Sequence, residues 1–273
     1  MIRYMTFTFL GLLVSHALLA CKAYTTPVSD KKDLSAIYTE NFENFNMYAA
    51  GMTGDGFALF SEVDEGCGTD NSRCLRHHYK PSDIGSRPQV RYSHLPKALE
   101  YTLQYDIRFD SDFEFVLGGK LHGLTPEFKT TGCKPQVPNG WSARVMWRQN
   151  GMAELYIYDQ SRKEKGIACG LSYPTSKPVF KKGVYQAVSL YVKLNTIGQA
   201  DGIAELWIDG TKQAEATQVE YRGTANNTEI SRLAYSTFFG GHDPSWAPSK
   251  SVYASLDNVA VLPGRQVRPS PLQ

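Results

Sequence analysis

At 273 residues, with 42% apolar and 21% charged side chains, the chain can form one large domain or two small ones, and it is too apolar to be disordered. The formal charge of +2 excludes no partner class, because a polyanion needs only a local basic groove and net charge governs association rather than fold. No Walker A, GxGxxG, HExxH or GxSxG sequence occurs, which removes the commonest nucleotide, metalloprotease and serine-hydrolase signatures.

Met1, Ile2 and Arg3 lead into a short apolar run, Thr6 to Ala20 (TFTFLGLLVSHALLA). One positive charge, a brief apolar stretch and a small residue at Ala20 spell a secretory leader over residues 1–20. The run is too short for a bilayer, which takes about 20 apolar residues. Leu18-Leu19-Ala20-Cys21 also fits a bacterial lipobox, so Cys21 is a candidate lipid anchor and residues 21–35 a polar tether. Export is expected, either to the medium or to an outer-membrane tether. Five cysteines are an odd number for an exported chain. Assigning Cys21 to a lipid leaves Cys67, Cys74, Cys133 and Cys169. Four cysteines allow three pairings, of which Cys67–Cys74 with Cys133–Cys169 is preferred. A metal site is the weaker alternative, since there is no CxxC pair or nearby histidine doublet at zinc spacing.

Between residues 36 and 263 no linker, repeat or heptad interrupts the chain, so a single domain is expected there. Its apolar period is two. Tyr101, Leu103, Tyr105, Ile107 and Phe109 alternate with polar or small residues. WSARVMWR (Trp141 to Arg148), AELYIYDQ (Ala153 to Gln160) and QAVSLYVKL (Gln186 to Leu194) behave alike. IAELWI (Ile203 to Ile208) runs into Asp209-Gly210, a hairpin signal. Two further strands are read over Ile230 to Phe239 and Val252 to Leu262, and residues 264–273 read as a loose tail. Many strands with Gly-rich turns predict an all-β fold, a jelly-roll β-sandwich of two antiparallel sheets.

Period-two geometry sorts the side chains into faces. Ser142, Arg144, Met146 and Arg148 share one face of their strand, opposite Trp141, Ala143, Val145 and Trp147. The short link Gln149-Asn150-Gly151-Met152 predicts a hairpin, which places Tyr156 and Tyr158 on the face of Ser142 and Arg144. A strand over FEFVLGGKL (Phe113 to Leu121) would put Glu114, Val116, Gly118 and Lys120 together, with Gly118-Gly119 marking a bulge or close approach. Singly these are weak signals: a strand arginine is usually solvated, and alternate tyrosines usually pack. His77-His78 reads as an exposed basic loop. Glu62, Asp64 and Glu65 resemble paired glycosidase carboxylates, but the tight strand motif of jelly-roll glucanases is missing.

The segments GGKLHGL (Gly118 to Leu124), GWSARVMWR (Gly140 to Arg148), ELYIYDQ (Glu154 to Gln160) and FFGGHDPSWAP (Phe238 to Pro248), in this order, resemble polysaccharide lyase family 14. VKLNTIGQADGIAELWIDG (Val192 to Gly210) and YASLDNVAV (Tyr253 to Val261) fit it too, and the resemblance spans roughly residues 100–262. It implies a β-jelly roll that cleaves alginate- or glucuronan-type chains. It also implies a catalytic set of Lys120, Ser142, Arg144, Tyr156 and Tyr158, with no cofactor. His122 stands where many relatives carry proline, so it bears on a subsite; with Arg148 and Gln160 it is expected to contact substrate. The partner is an acidic polysaccharide rather than nucleic acid, and a monomer is expected. The rival readings are a non-catalytic carbohydrate-binding sandwich and a structural lipoprotein.

Overall fold

The computed structural model describes residues 35–45, 57–162 and 164–273, so the leader and Cys21 lie outside the described residues. Two antiparallel sheets face each other. The larger runs β12 (Thr211–Val219), β11 (Gly202–Ile208), β10 (Tyr185–Lys193), β5 (Glu100–Phe109), β14 (Val252–Pro263), β3 (Cys74–Tyr79) and β2 (Ser61–Asp64). A short β1 (Tyr38–Glu40) also pairs with β14. The smaller sheet runs β4 (Gln89–Ala98), β13 (Ile230–Phe239), β6 (Gly118–Thr125), β7 (Ser142–Arg148), β8 (Ala153–Tyr158) and β9 (Leu171–Pro174). Non-consecutive neighbours in both sheets mean that the chain crosses between layers, as a jelly roll requires.

The alternating apolar residues meet between the layers. Leu103, Tyr105, Ile107 and Phe109 of β5 face Ala143, Val145 and Trp147 of β7 and Leu155 and Ile157 of β8, all buried. Tyr79, Phe109, Phe113, Trp147 and Phe239 form an aromatic cluster with mostly edge-on contacts, which suit ring quadrupoles better than face-to-face stacking. The hairpin at Asp209-Gly210 has both residues at positive φ (49° and 72°), the pairing a type I′ turn demands. Cys67–Cys74 and Cys133–Cys169 are the disulfides formed.

Three expectations are corrected here. The strand expected from Phe113 begins only at Gly118, because Val116 takes φ 46°, and Phe113 and Phe115 are loop residues plugged into the core. Glu114 therefore turns outward, to Ser249. His77 is not in a loop: it lies on β3 and points into the core. The segment after Pro263 is docked rather than loose. Thr102 and Gln104 donate to the carbonyls of Gly264 and Gln266, Arg268 pairs with Asp106 at 3.0 Å, and the Leu272 amide donates to the same carboxylate.

The core encloses two neutral imidazoles, His77 and His122, with ring centres 5.5 Å apart. Burial pushes His77 down to about 4 and His122 well below the ordinary histidine value. Both folded values lie below the unfolded one, so the stability they hold is complete above about pH 6.5 and is lost as pH falls toward 4. For His77 alone the loss amounts to roughly 3 kcal/mol. Asp257, raised to about 6 by burial, works in the opposite sense over part of this range. The measurement is therefore a comparison of melting temperatures across pH between the parent and His77→Phe. The parent should lose more stability on acidification than the variant does.

Candidate active site

The outer face of the smaller sheet carries the polar half of each strand. β7 and β8 pair in register, Ser142 with Tyr158 and Arg144 with Tyr156, so period-two alternation carries all four side chains to that face. Lys120 joins them from β6, opposite Met146. Its Nζ lies 5.6 Å from the Tyr156 ring centre and 5.3 Å from that of Phe238. Tyr156 and Tyr158 touch edge to face at 5.5 Å. The five expected catalytic residues thus share one surface.

Arg144 is 5% exposed, and its Nε has no hydrogen-bond partner. Among the described residues its guanidinium enters no ion pair; Tyr156, Tyr158 and Tyr92 are the groups whose charge it senses. Burial holds it below the usual arginine range. Its stem crosses Gly123, where a Cβ would sit 2.6 Å from Arg144 Cγ, so the glycine gives the side chain its path. A buried cation with no ion-pair partner among the described residues is a receptor for an anion.

Lys120 is pushed down to about 8, chiefly by burial and then by the charges of Arg144 and Arg148, with Glu154 opposing. Tyr156 moves the other way, up to about 12, again chiefly by burial, although Arg144 and the Gly170 amide pull it down. An amine that ionises near neutrality beside a phenol that keeps its proton is a base–acid pair in waiting.

The other expected residues divide. Ser142 lies on the right face but is covered, its hydroxyl donating to the Thr130 carbonyl, so it anchors the overlying loop. Arg148 lines the same face, paired with Glu154 at 2.7 Å and 5.8 Å from the Trp246 ring centre. Two substrate contacts are corrected. Strict alternation would put His122 beside Lys120, but β6 bulges between Lys120 and Gly123, and His122 turns inward against His77, Tyr105 and Tyr235. Its Nδ1 accepts from the Ser236 amide, and it is 1% exposed. Gln160 spends its amide N–H groups on the carbonyls of Val137, Gly140 and Tyr221, so it ties loops together. Glu62, Asp64 and Glu65 sit at or beside β2, at an edge of the opposite sheet.

Sequence reasoning missed two contributors. Tyr92 on β4 is a third phenol close enough to Arg144 to act on its charge, and its ring centre is flanked by Lys129 at 4.3 Å and Arg232 at 5.7 Å. Arg162 is 2% exposed and lies 4.4 Å over the Tyr158 ring. Neither has a local sequence signature; Arg162 sits in a polar stretch that reads as solvated loop. Among the described residues no cluster of three or more His, Cys, Asp or Glu side chains is placed to hold a metal ion.

Known proteins share this frame. An alginate lyase of Aplysia kurodai superposes with a TM-score of 0.69 at 24% identity, covering 84% of this chain and 99% of that one. An alginate lyase from Chlorella virus gives 0.67 at 22%, with 84% and 99% covered, and the glucuronan lyase of Trichoderma reesei 0.58 at 12%, with 87% and 100%. At these identities the likeness is one of fold. Exolysin of Paramecium bursaria Chlorella virus 1 is 30% identical over 167 residues, 51% of this chain but only 25% of that protein, so the match spans a quarter of the relative's length. The family model described as polysaccharide lyase 14 matches residues 79–259. That stretch contains every residue of the outer face named above, and the chain belongs to polysaccharide lyase family 14.

Proposed function

We propose that this protein cleaves uronate-containing polysaccharides, of the alginate or glucuronan type, by β-elimination. The carrying observation is Arg144, a buried guanidinium that has no ion-pair partner among the described residues and lies among the phenols Tyr158, Tyr156 and Tyr92. The C5 proton of a uronate is a poor acid because its carboxylate is already negative. A fixed cation on that carboxylate stabilises the enolate-like transition state more than the ground state. Arg144 offers a planar fork for it. Lys120, partly neutral near pH 8, takes the C5 proton. The Tyr156–Tyr158 pair gives a proton to the departing O4, leaving a C4–C5 double bond.

Alginate is the first substrate to try, since structures of the fold relative Aly36B hold an alginate trisaccharide and an alginate tetrasaccharide. Export is part of the same reading. It rests on the Thr6 to Ala20 run and on two disulfides, which suit an oxidising compartment. A lipid on Cys21 would tether the enzyme to a membrane. Purified protein incubated with alginate, polymannuronate and polyglucuronate should generate the ultraviolet absorbance of the new double bond with at least one of them. Binding of all three without that absorbance would reduce the protein to a carbohydrate-binding module.

A further inference from the structure

We infer that the Cys133–Cys169 disulfide and Arg162 form a clasp that presents one backbone N–H to each catalytic phenol oxygen, making the tyrosine pair a stronger proton donor. The inference rests on the lyase reading and assigns positioning residues to it. The Cys133 amide donates to the Tyr158 hydroxyl oxygen at 3.0 Å. The Gly170 amide, one residue past Cys169, donates to the Tyr156 hydroxyl oxygen, also at 3.0 Å. These two donors come from loops far apart in sequence, and the disulfide between Cys133 and Cys169 is the covalent link that holds the loops together.

Arg162 closes the clasp from behind. Its guanidinium donates to the carbonyls of Ala168 and Cys169 on one loop, and to the Lys134 carbonyl and Gln136 Oε1 on the other. All four acceptors are neutral, and among the described residues Arg162 enters no ion pair. Its charge lies 4.4 Å over the Tyr158 ring, uncompensated until a phenolate forms. Gly170 has a reason to be glycine, because a Cβ there would sit 2.8 Å from Tyr156 Cζ and 2.9 Å from Tyr158 Cε2.

The chemistry follows from direction. An N–H donating into a phenol oxygen leaves the phenolic proton to be given elsewhere: that of Tyr158 rests on Cys133 Sγ, 3.9 Å away and a weak acceptor that a leaving O4 can displace. When that proton passes to the leaving O4, the oxygen becomes anionic and the same N–H bond strengthens, as in an oxyanion hole. The clasp therefore stabilises the conjugate base of the acid catalyst. Without it, the phenols become weaker acids, turnover slows and ground-state binding of the polymer changes little.

The test compares the parent with Cys133→Ser/Cys169→Ser and with Gly170→Ala, which leaves the disulfide intact if the double variant fails to fold. Cys67→Ser/Cys74→Ser serves as the control for general loss of a bridge. Two readouts are needed: kcat and KM on the polymer, and the titration of isotope-labelled tyrosines by NMR. The clasp variants should lose about tenfold or more in kcat with KM nearly unchanged, and the phenol titrations should move upward. The control should change neither. Unchanged phenol titrations and kcat in both clasp variants would overturn the inference. A parent that forms no unsaturated ends would overturn the lyase reading instead, and the NMR titrations would still decide whether the clasp acts on the phenols.

Discussion

Arg144→Met should cost roughly a hundredfold or more in turnover while the protein melts no lower than the parent. The two halves of this result have one cause. Arg144 is nearly sealed from solvent, has an unpartnered Nε, and is held below the usual arginine range by burial. In the resting enzyme that is a desolvation cost with no ion-pair partner among the described residues to offset it, and a methionine of similar reach removes it. The methionine stem still fills the path over Gly123, so little packing is lost. In the reaction the same charge faces the substrate carboxylate as it gains enolate character, so its absence is felt most in the transition state. Initial rates and calorimetry together check it. Retained turnover with a large drop in melting temperature would make Arg144 a structural residue and remove the basis of the mechanism.

The parts of this architecture legible in the sequence are those that obey strand geometry without interruption. WSARVMWR and AELYIYDQ are regular, joined by a short hairpin and paired in register, so counting by two was enough to bring Arg144 and Tyr156 side by side. What escaped was decided by departures from period two or by distant contacts. One extra residue in β6 turns His122 from the outer face to the core, and the Gly118-Gly119 pair that suggests a bulge stands before Lys120, whereas the register shift falls between Lys120 and Gly123. Residues after Pro263 look loose because their partners, Thr102, Gln104, Asp106 and Ser189, lie on other strands. Arg162 reads as a solvated loop cation because the carbonyls that bury it are contributed by two loops brought together by a disulfide. The chemistry of single residues was legible; the company they keep was fixed by tertiary structure.

Lys120→Arg should be nearly as inactive as Lys120→Met, each losing about a hundredfold or more in kcat/KM, although arginine preserves the charge. A lysine that only attracts the polyanion would tolerate arginine. One that removes a proton would not, because a guanidinium stays protonated at any working pH. Burial and the neighbouring charges of Arg144 and Arg148 bring Lys120 down to about 8. The neutral, base-competent fraction rises with pH, so kcat/KM should climb to a plateau above about pH 8 and fall about tenfold per unit below it. No falling limb should appear until far into the alkaline range, because Tyr156, the acid partner, is pushed up to about 12 and keeps its proton. Arg144→Met removes one of the charges depressing Lys120, so whatever activity it retains should show the rising limb displaced to higher pH. Tyr156→Phe and Tyr158→Phe keep the rings and delete the hydroxyls; at least one should nearly abolish product while polymer binding persists. A Lys120→Arg enzyme with near-parental turnover, or a parent profile without a rising limb near pH 8, would take the base role from Lys120 and give it to the tyrosine pair.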